Sequence, residues 1–456
     1  MIDARRILLK STTAAVVKLK VVTPGSWPKL KGKLSTSSIK WANTQGFVGN
    51  YGTSLQLQKS DGGLAEVLVG SNESADGFSI IRVMKQLPAG TYAFEDGVKL
   101  IELAWCLEAY SFNRYKPQSR DIAKLLCSKN VSYEAVISQA NATYFVRDLI
   151  NTPANDLGPD ELEAAARRVA TSNKARISVT KGAALQRSFP MVHDVGKASP
   201  RYPRLIDFSW GNSKAPKVTL VGKGVCFDTG GLDIKPASGM ALMKKDMGGA
   251  ANVLGLAQMI MDAKLPVCLR VIIPAVENSI AGNAFRPGDI LKSRKGLNIE
   301  IGNTDAEGRL VLGDALCLAD EQSPDLLIDM ATLTGAARVA LGPDLPPFYT
   351  TDESLAADIA KHSVAQRDPL WRLPLWEPYN ALFESSVADM NNSSDSGFAG
   401  SITAALFLKR FVEKAKSYVH FDVYGWSPSA KPGSPKGGEA QGVRALFALI
   451  AERYEK

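Results

Sequence analysis

From residue 1 to about residue 150, short runs of apolar positions are separated by turn residues. The stretches "AAVVKLKVV" (14–22), "TSLQLQ" (53–58) and "LAEVLVG" (64–70) have the β-type patterning of half-buried strands. Residues 97–112 and 133–150 instead gather their apolar side chains on one helical face. The cluster "NTPANDLGP" (151–159) then breaks the pattern with prolines, a glycine and asparagines. It predicts a boundary between an N-terminal α/β domain over 1–150 and a larger domain over 151–456.

Beyond the boundary, helical and strand patterns alternate. "DELEAAARRVATS" (160–172) reads as a helix and "KVTLVGKGV" (217–225) as a β-branched strand ending in glycines. "GGAANVLGLAQMIMDAK" (248–264) reads as a buried helix, followed by the strand "VCLRVIIPAV" (267–276). The strand "LNIEIGN" (297–303), the helix "GRLVLGDALCLAD" (308–320) and the strand "DLLIDMATL" (325–333) follow. This order predicts an α/β fold: a smaller N-terminal α/β domain plus a larger C-terminal one with a mixed, largely parallel sheet flanked by helices. Ligands of such sheets bind beyond the carboxyl ends of the strands.

Composition narrows the class. With 456 residues, 45% of them apolar and 22% charged, the chain is an ordinary globular protein too long for one core. Its 54 basic and 46 acidic residues leave a net charge of +8, interspersed without a basic block. Weak attraction to polyanions follows, but nucleic acid is not expected as the main partner. Five scattered cysteines, Cys106, Cys127, Cys226, Cys268 and Cys317, form no CxxC pair, which argues against a disulfide framework and a thiolate zinc site. Cys226 reads as a small buried residue rather than a nucleophile. No apolar run could span a bilayer, and the opening "MIDARRILLKSTTAAVVKLK" is broken by Lys10 and Lys18, so it reads as an ordinary N-terminal segment. A cytoplasmic protein is expected.

Charged residues collect at three predicted strand ends. "VGKGVCFDTGGLDIKPASGM" (221–240) carries Lys223, Asp228 and Lys235; "LMKKDMGG" places Asp246 just before a helix; "NTDAEGRL" (303–310) carries Asp305, Glu307 and Arg309. If 305–309 is extended, its alternate side chains share one face, about 6.6 Å apart. Carboxylates so placed can converge on a pair of metals ~3.5–4 Å apart. Four neighbouring carboxylates without counter-ions would cost about 3 kcal/mol per pair at ~5 Å and an effective dielectric of ~20. A lone D-x-E-x-R turn is more often a solvated surface feature, and "GKG" lacks the rest of a Walker loop. Three such stretches at successive strand ends point to a site.

Only three histidines occur, His193, His362 and His420, and none has metal-ligand spacing. His420, in the strand-like "YVHFDVYGW", reads as a satisfied buried or edge residue. An oxygen-rich site favours Mg²⁺ or Mn²⁺ over Zn²⁺. A lysine nitrogen changes that balance: neutralising Lys223 at pH 7 costs roughly 5 kcal/mol, whereas metal binding can yield ~10 kcal/mol or more.

Taken together, "NTDAEGRL" (303–310), "VGKGVCFDTGGLDIKP" (221–236), "MKKDMGGAA" (243–251) and "DMATLTGA" (329–336) resemble the cytosolic leucyl aminopeptidases, the M17 metallopeptidases. "NTPANDLGPDEL" (151–162) and "VADMNNSSDSGFAGSITAALFLKRFV" (387–412) also look like their family counterparts, so the resemblance covers about residues 145–456. It implies a catalytic C-terminal domain, a homohexamer, and release of leucine or other bulky apolar residues from peptides with a free N-terminus. It also implies two divalent ions, Zn²⁺ or Mn²⁺ with Mg²⁺ as a further option. One ion would be held by Asp228, Asp305 and Glu307, the other by Lys223, Asp228, Asp246 and Glu307. A water bridging the two ions would have a lowered pKa and attack the peptide carbonyl. Lys235 matches the lysine that contacts the substrate carbonyl, and Arg309 the arginine that holds a bicarbonate ion. Met243, Asn303, Thr332, Leu333 and Gly335 match positions around the substrate, with core packing the competing reading for Met243 and Leu333.

Two positions depart from the family pattern. Asp233 stands where serine or asparagine is usual and is expected to face solvent; Cys226 stands where threonine is common. Two other functions remain open from the residues: a DNA-binding architectural role, as for some bacterial members of the family, and metal-dependent phosphoryl transfer, suggested only by the glycine-rich strand end.

Overall fold

The computed structural model describes residues 2–72, 76–117, 122–394 and 396–455. Asp395, within the stretch 387–412, therefore lies outside the described residues. The chain forms two compact units, one of residues 1–144 with 429–436 and the other of 145–428 with 437–456.

In the first unit, six strands form a sheet in the order Leu8–Leu9, Lys124–Leu126, Thr91–Phe94, Val16–Val22, Leu64–Gly70, Ser54–Gln58. All neighbours run parallel except the last pair. The helical stretch expected over 97–112 is the shorter helix Ile101–Ala109, which starts where Leu100 takes a left-handed conformation, φ 62°. It is buried nearly all round, Glu102 included, rather than presenting one apolar face. Two helices, Trp27–Lys31 and Thr36–Thr44, fill a stretch with no clear period in the sequence.

The second unit is built on a larger sheet. Its path runs Trp371–Arg372, Pro347–Tyr349, Tyr418–Asp422, Leu326–Ala331, Lys217–Gly222, Cys268–Asn278, Arg204–Trp210, Arg176–Lys181. From Tyr418–Asp422 to Cys268–Asn278 the strands are parallel; Arg204–Trp210, Arg176–Lys181 and Pro347–Tyr349 each run antiparallel to the inner neighbour. The sheet is thus mixed, with a parallel centre, as the alternating pattern predicts. The expected strand 217–225 divides at Lys223: Lys217–Gly222 stays in the sheet path, and Gly224–Asp228 pairs with the far end of Cys268–Asn278.

The helix Pro159–Ser172 opens with proline at its first position and with Glu161 Oε2 accepting from Gly158 N at 2.9 Å, a capping arrangement. Glu163 on this helix ties it to the antiparallel flank of the sheet. Its carboxylate lies 2.6 Å from Lys181 Nζ and accepts from Arg204 Nη1 at 2.7 Å and Arg167 Nε at 2.9 Å. Helices Gly248–Asp262 and Glu307–Asp320 are mostly buried, which fits their apolar composition on more than one face. Leu310, Val311, Leu312, Ala315 and Leu316 of the second of these join Val221, Val225, Ile272 and Leu327 of the strands in one core. The helix that begins at Glu307 is therefore fixed against the central strands by close packing.

Candidate metal centre and substrate pocket

The parallel strands deliver polar groups at their carboxyl ends, where ligands of such sheets bind. Lys223 follows Lys217–Gly222, Thr332 follows Leu326–Ala331, and Asp228, Asn278 and Asp422 are the last residues of their strands. Lys223 is 3% exposed, and its Nζ lies 2.7 Å from Asp246 Oδ2, 2.9 Å from Glu307 Oε1 and 3.1 Å from Thr332 O. Lys235 Nζ lies 2.8 Å from Asp228 Oδ2 and also pairs with Asp305. Four carboxylates and two ammonium groups thus form one cluster, assembled from all three of the sequence stretches.

Neighbouring polar groups fix the carboxylates. Asn278, opposite Asp228 across the strand pair, donates to Asp228 Oδ1 at 2.9 Å and to Thr304 O at 3.1 Å. Gly230 N donates to the same Asp228 oxygen at 2.8 Å; its φ of 89° suits glycine, and a Cβ there would stand 2.5 Å from Asp233 O. Thr332 Oγ1 donates to Asp246 Oδ1 at 2.8 Å. Asp233 is exposed, but it does not simply face solvent as expected. Its Oδ2 accepts from Thr304 N at 2.7 Å and from Thr304 Oγ1 at 3.1 Å, so it braces the loop that carries Asp305.

Residues 305–309 are not extended. Glu307 is the first residue of the helix Glu307–Asp320, and positions two apart on a helix point roughly opposite ways. Glu307 accordingly turns into the cluster, while Arg309 turns toward Asn392, whose carbonyl oxygen accepts from Arg309 Nη1 at 2.8 Å. Arg309 Nε is buried without a hydrogen-bond partner. Helix initiation at Glu307 replaces the strand-like alternation: Leu310, Val311, Leu312, Ala315, Leu316 and Ala319 are all buried on this helix.

The electrostatics favour a bound cation. Burial, then the negative charge of Asp228, pushes Glu307 up to about 8 and Asp305 up to about 6. Burial would lower the Lys223 ammonium, but the carboxylates of Asp246, Glu307 and Asp228 hold it above its ordinary value. Lys235 is likewise raised against burial, by Asp228 and Glu307. Oxygens of Asp228, Asp305 and Glu307 lie within 4.8 Å of one another. Asp246 Oδ2, Asp305 Oδ1 and Glu307 Oε1 are buried beside a lysine yet form no hydrogen bond of ordinary geometry. Such a set, oxygen-rich with one amine, fits divalent cations better than it fits two lysines.

A cavity of about 410 Å³ opens beside the cluster, and Met243, Thr332, Leu333 and Gly335 line it together with Lys223, Asp228, Lys235, Asp246 and Asp305. Asn303 is not on its wall; it accepts from Asp305 N at 2.7 Å and so shapes the loop instead. Several residues at the site carried no sequence signal of their own. Asn392 is fully buried and binds Gly302 N, Asn303 N, Asn303 O and Ala306 O, fastening the loop that carries Asp305. Lys245 is buried against Tyr424, and burial lowers its ammonium to about 8. Asn392 lies inside the family-like stretch 387–412; Asn278 is brought in by its strand partner Asp228, and Tyr424 by its contacts with Lys245 and Arg338.

Histidine and cysteine stay out of the cluster. His420 is buried in the sheet, its Nδ1 2.6 Å from Asp329 Oδ1. Burial pushes the Cys226 thiol well above its ordinary value, which leaves it unreactive.

Comparison with known proteins adds to this geometry. Residues 144–447 match the model of the cytosol aminopeptidase family catalytic domain, and residues 19–128 that of the M17 aminopeptidase N-terminal domain. A probable cytosol aminopeptidase of Caulobacter vibrioides is 39% identical over 367 residues, covering 76% of this chain and 74% of the relative. Another from Xanthobacter autotrophicus is 40% identical over 390 residues, covering 82% and 78%. The crystal structure of a cytosol aminopeptidase from Coxiella burnetii superposes with a TM-score of 0.95 at 44% identity, covering 98% of this chain and 99% of that one. The bottromycin maturation enzyme BotP in complex with Mn superposes at 0.86 with 29% identity, over 97% of this chain and all (100%) of that one.

Proposed function

The chain belongs to the M17 cytosol aminopeptidase family, and on that premise we propose that it releases leucine and other bulky apolar residues from peptide N-termini, using two divalent cations. The observation that carries the metal reading is the buried cluster whose Asp228, Asp305 and Glu307 oxygens lie within 4.8 Å of one another. Asp228, Asp305 and Glu307 would hold one ion, and Lys223, Asp228, Asp246 and Glu307 the other. Zn²⁺ and Mn²⁺ suit this donor set, with Mg²⁺ a third option.

Bound there, the cations would polarise the scissile carbonyl and lower the pKa of water. The protein's own groups do the rest. Lys235, at the cavity wall, would donate to the carbonyl oxygen as negative charge develops on it. Met243, Leu333 and Thr332 would contact the side chain of the departing residue, and Asn303 would order the loop below it. Burial lowers Arg309 only to about 10, so it stays a cation and cannot serve as the base. Its unpartnered Nε supports the anchoring of an oxyanion such as bicarbonate. No helix among the described residues is long and apolar enough to cross a membrane, in keeping with a cytoplasmic enzyme. A homohexamer is the assembly that the family resemblance implies.

The test is dialysis against a chelator with leucine p-nitroanilide as substrate. Hydrolysis should vanish and return with Mn²⁺ or Zn²⁺; activity indifferent to chelation would sink the metal reading.

A further inference from the structure

The same pocket holds two cations with no carboxylate of their own. Lys245 is 5% exposed, and its ammonium makes no hydrogen bond or ion pair among the described residues. Its Nζ stands 4.6 Å from the centre of the Tyr424 ring. Arg338, on the helix Gly335–Leu341, sets its guanidinium 4.9 Å from the centre of the same ring and also lacks an ion-pair partner among the described residues. Lys245, Arg338 and Tyr424 all line the cavity beside the metal cluster.

The carboxylates nearby are already committed. Asp228, Asp246 and Asp305 pair with Lys223 and Lys235. Asp422 accepts from Leu333 N, Thr334 N, Thr334 Oγ1 and Ser401 Oγ, which occupies both its oxygens. For a largely buried ammonium, the face of one aromatic ring compensates only in part. An anion that enters the cavity therefore meets two cations that no carboxylate neutralises.

We propose that this end of the pocket receives a carboxylate of the peptide substrate. The group is either the side chain of an N-terminal glutamate or aspartate, or the free C-terminus of a dipeptide. Leu242, Met243 and Leu333 supply an apolar wall for the aliphatic part of either substrate, so acidic peptides join the apolar ones in the substrate range. The inference rests on the aminopeptidase activity proposed above.

The experiment compares charged substrates with neutral isosteres, using the full chain loaded with Mn²⁺. Glutamate and glutamine p-nitroanilides test the side-chain carboxylate; Leu-Gly and Leu-Gly-amide test the C-terminal one. At least one charged member should exceed its isostere in kcat/KM by about tenfold, the factor equivalent to one well-placed ionic contact. Arg338→Glu should abolish that preference and Arg338→Lys should keep most of it, with Lys245→Met as a second variant. Arg338 is exposed, so its replacement leaves the core intact. Neutral isosteres cleaved as well in both pairs, or a preference untouched by Arg338→Glu, would overturn the proposal. Leucine p-nitroanilide serves as control: failure on every substrate would overturn the aminopeptidase reading, and this inference with it.

Discussion

Lys223 crosses the first turn of the helix Glu307–Asp320 so closely that a Cβ on Gly308 would stand 2.5 Å from its Cε and 2.7 Å from its Nζ. Gly308 has no unusual backbone angle, so the constraint is space alone. Gly308→Ala should push the flexible lysine aside at modest cost to stability, about 1–3 kcal/mol. If Lys223 binds metal as proposed, displacing it by about 1 Å should lower kcat/KM roughly 100-fold. Steady-state kinetics with a melting curve checks both; unchanged kinetics would show that Lys223 need not sit there.

Glu307 is the group most fully enclosed by the cluster, at 1% exposure. Glu307→Gln keeps its shape and removes a carboxylate proposed to bind metal. The variant should fold, with a melting temperature near that of the metal-free parent, and lose more than about 100-fold in activity and bound metal. Metal analysis beside the activity assay tests this, and full activity would refute the site.

Metal binding should release protons. Burial raises Glu307 and the neighbouring carboxylates raise Lys223, so at neutral pH this pair holds at least one proton that a cation must displace. Apparent affinity therefore rises with pH, about tenfold per unit for each proton released. Calorimetry in two buffers of different ionisation enthalpy reads the proton count directly. Equal heats in the two buffers would mean that neither group is a ligand.

A second pH effect lies outside the active site. Burial alone would raise Glu163, but hydrogen bonds from Lys181, Arg204 and Arg167 hold it at about 2, against 4.5 when unperturbed. A depressed carboxyl stabilises the fold above its unfolded value and loses that contribution as pH falls from about 4.5 toward 2. The melting-temperature difference between the parent and Glu163→Gln should be largest near pH 6–7 and shrink steadily below pH 4.5. A constant difference across that range would contradict the depressed value.

Much of the site could be read along the chain because its chemistry is concentrated in short stretches. Lys223, Asp228 and Lys235 lie within thirteen residues of one another, and Asp305 and Glu307 within three. The orientation of Arg309 could not be read the same way. The alternation of charges suggested an extended segment, whereas the apolar residues after Arg309 recruit Glu307 into a helix and turn the arginine away from the cluster. Asn278, Asn392 and the pairing of Lys245 with Arg338 about Tyr424 were hidden for another reason. Each depends on partners far apart in sequence, and single polar residues in loops carry no period that marks them. Asp233 departs from the family pattern in sequence, but its grip on Thr304, 71 positions away, belongs to tertiary structure.

The role of Asn392 has a consequence for when the enzyme becomes active. Every proposed metal ligand lies before residue 308, yet the loop that carries Asp305 and leads into the helix at Glu307 is fastened by a side chain more than eighty positions later. A chain emerging from the ribosome thus carries all its ligands long before it can hold them in place. Activity should switch on only once the final quarter has folded, which delays peptide cleavage until synthesis is nearly complete. A chain stalled on the ribosome at residue 390 should be inactive on leucine p-nitroanilide, and one released at full length active.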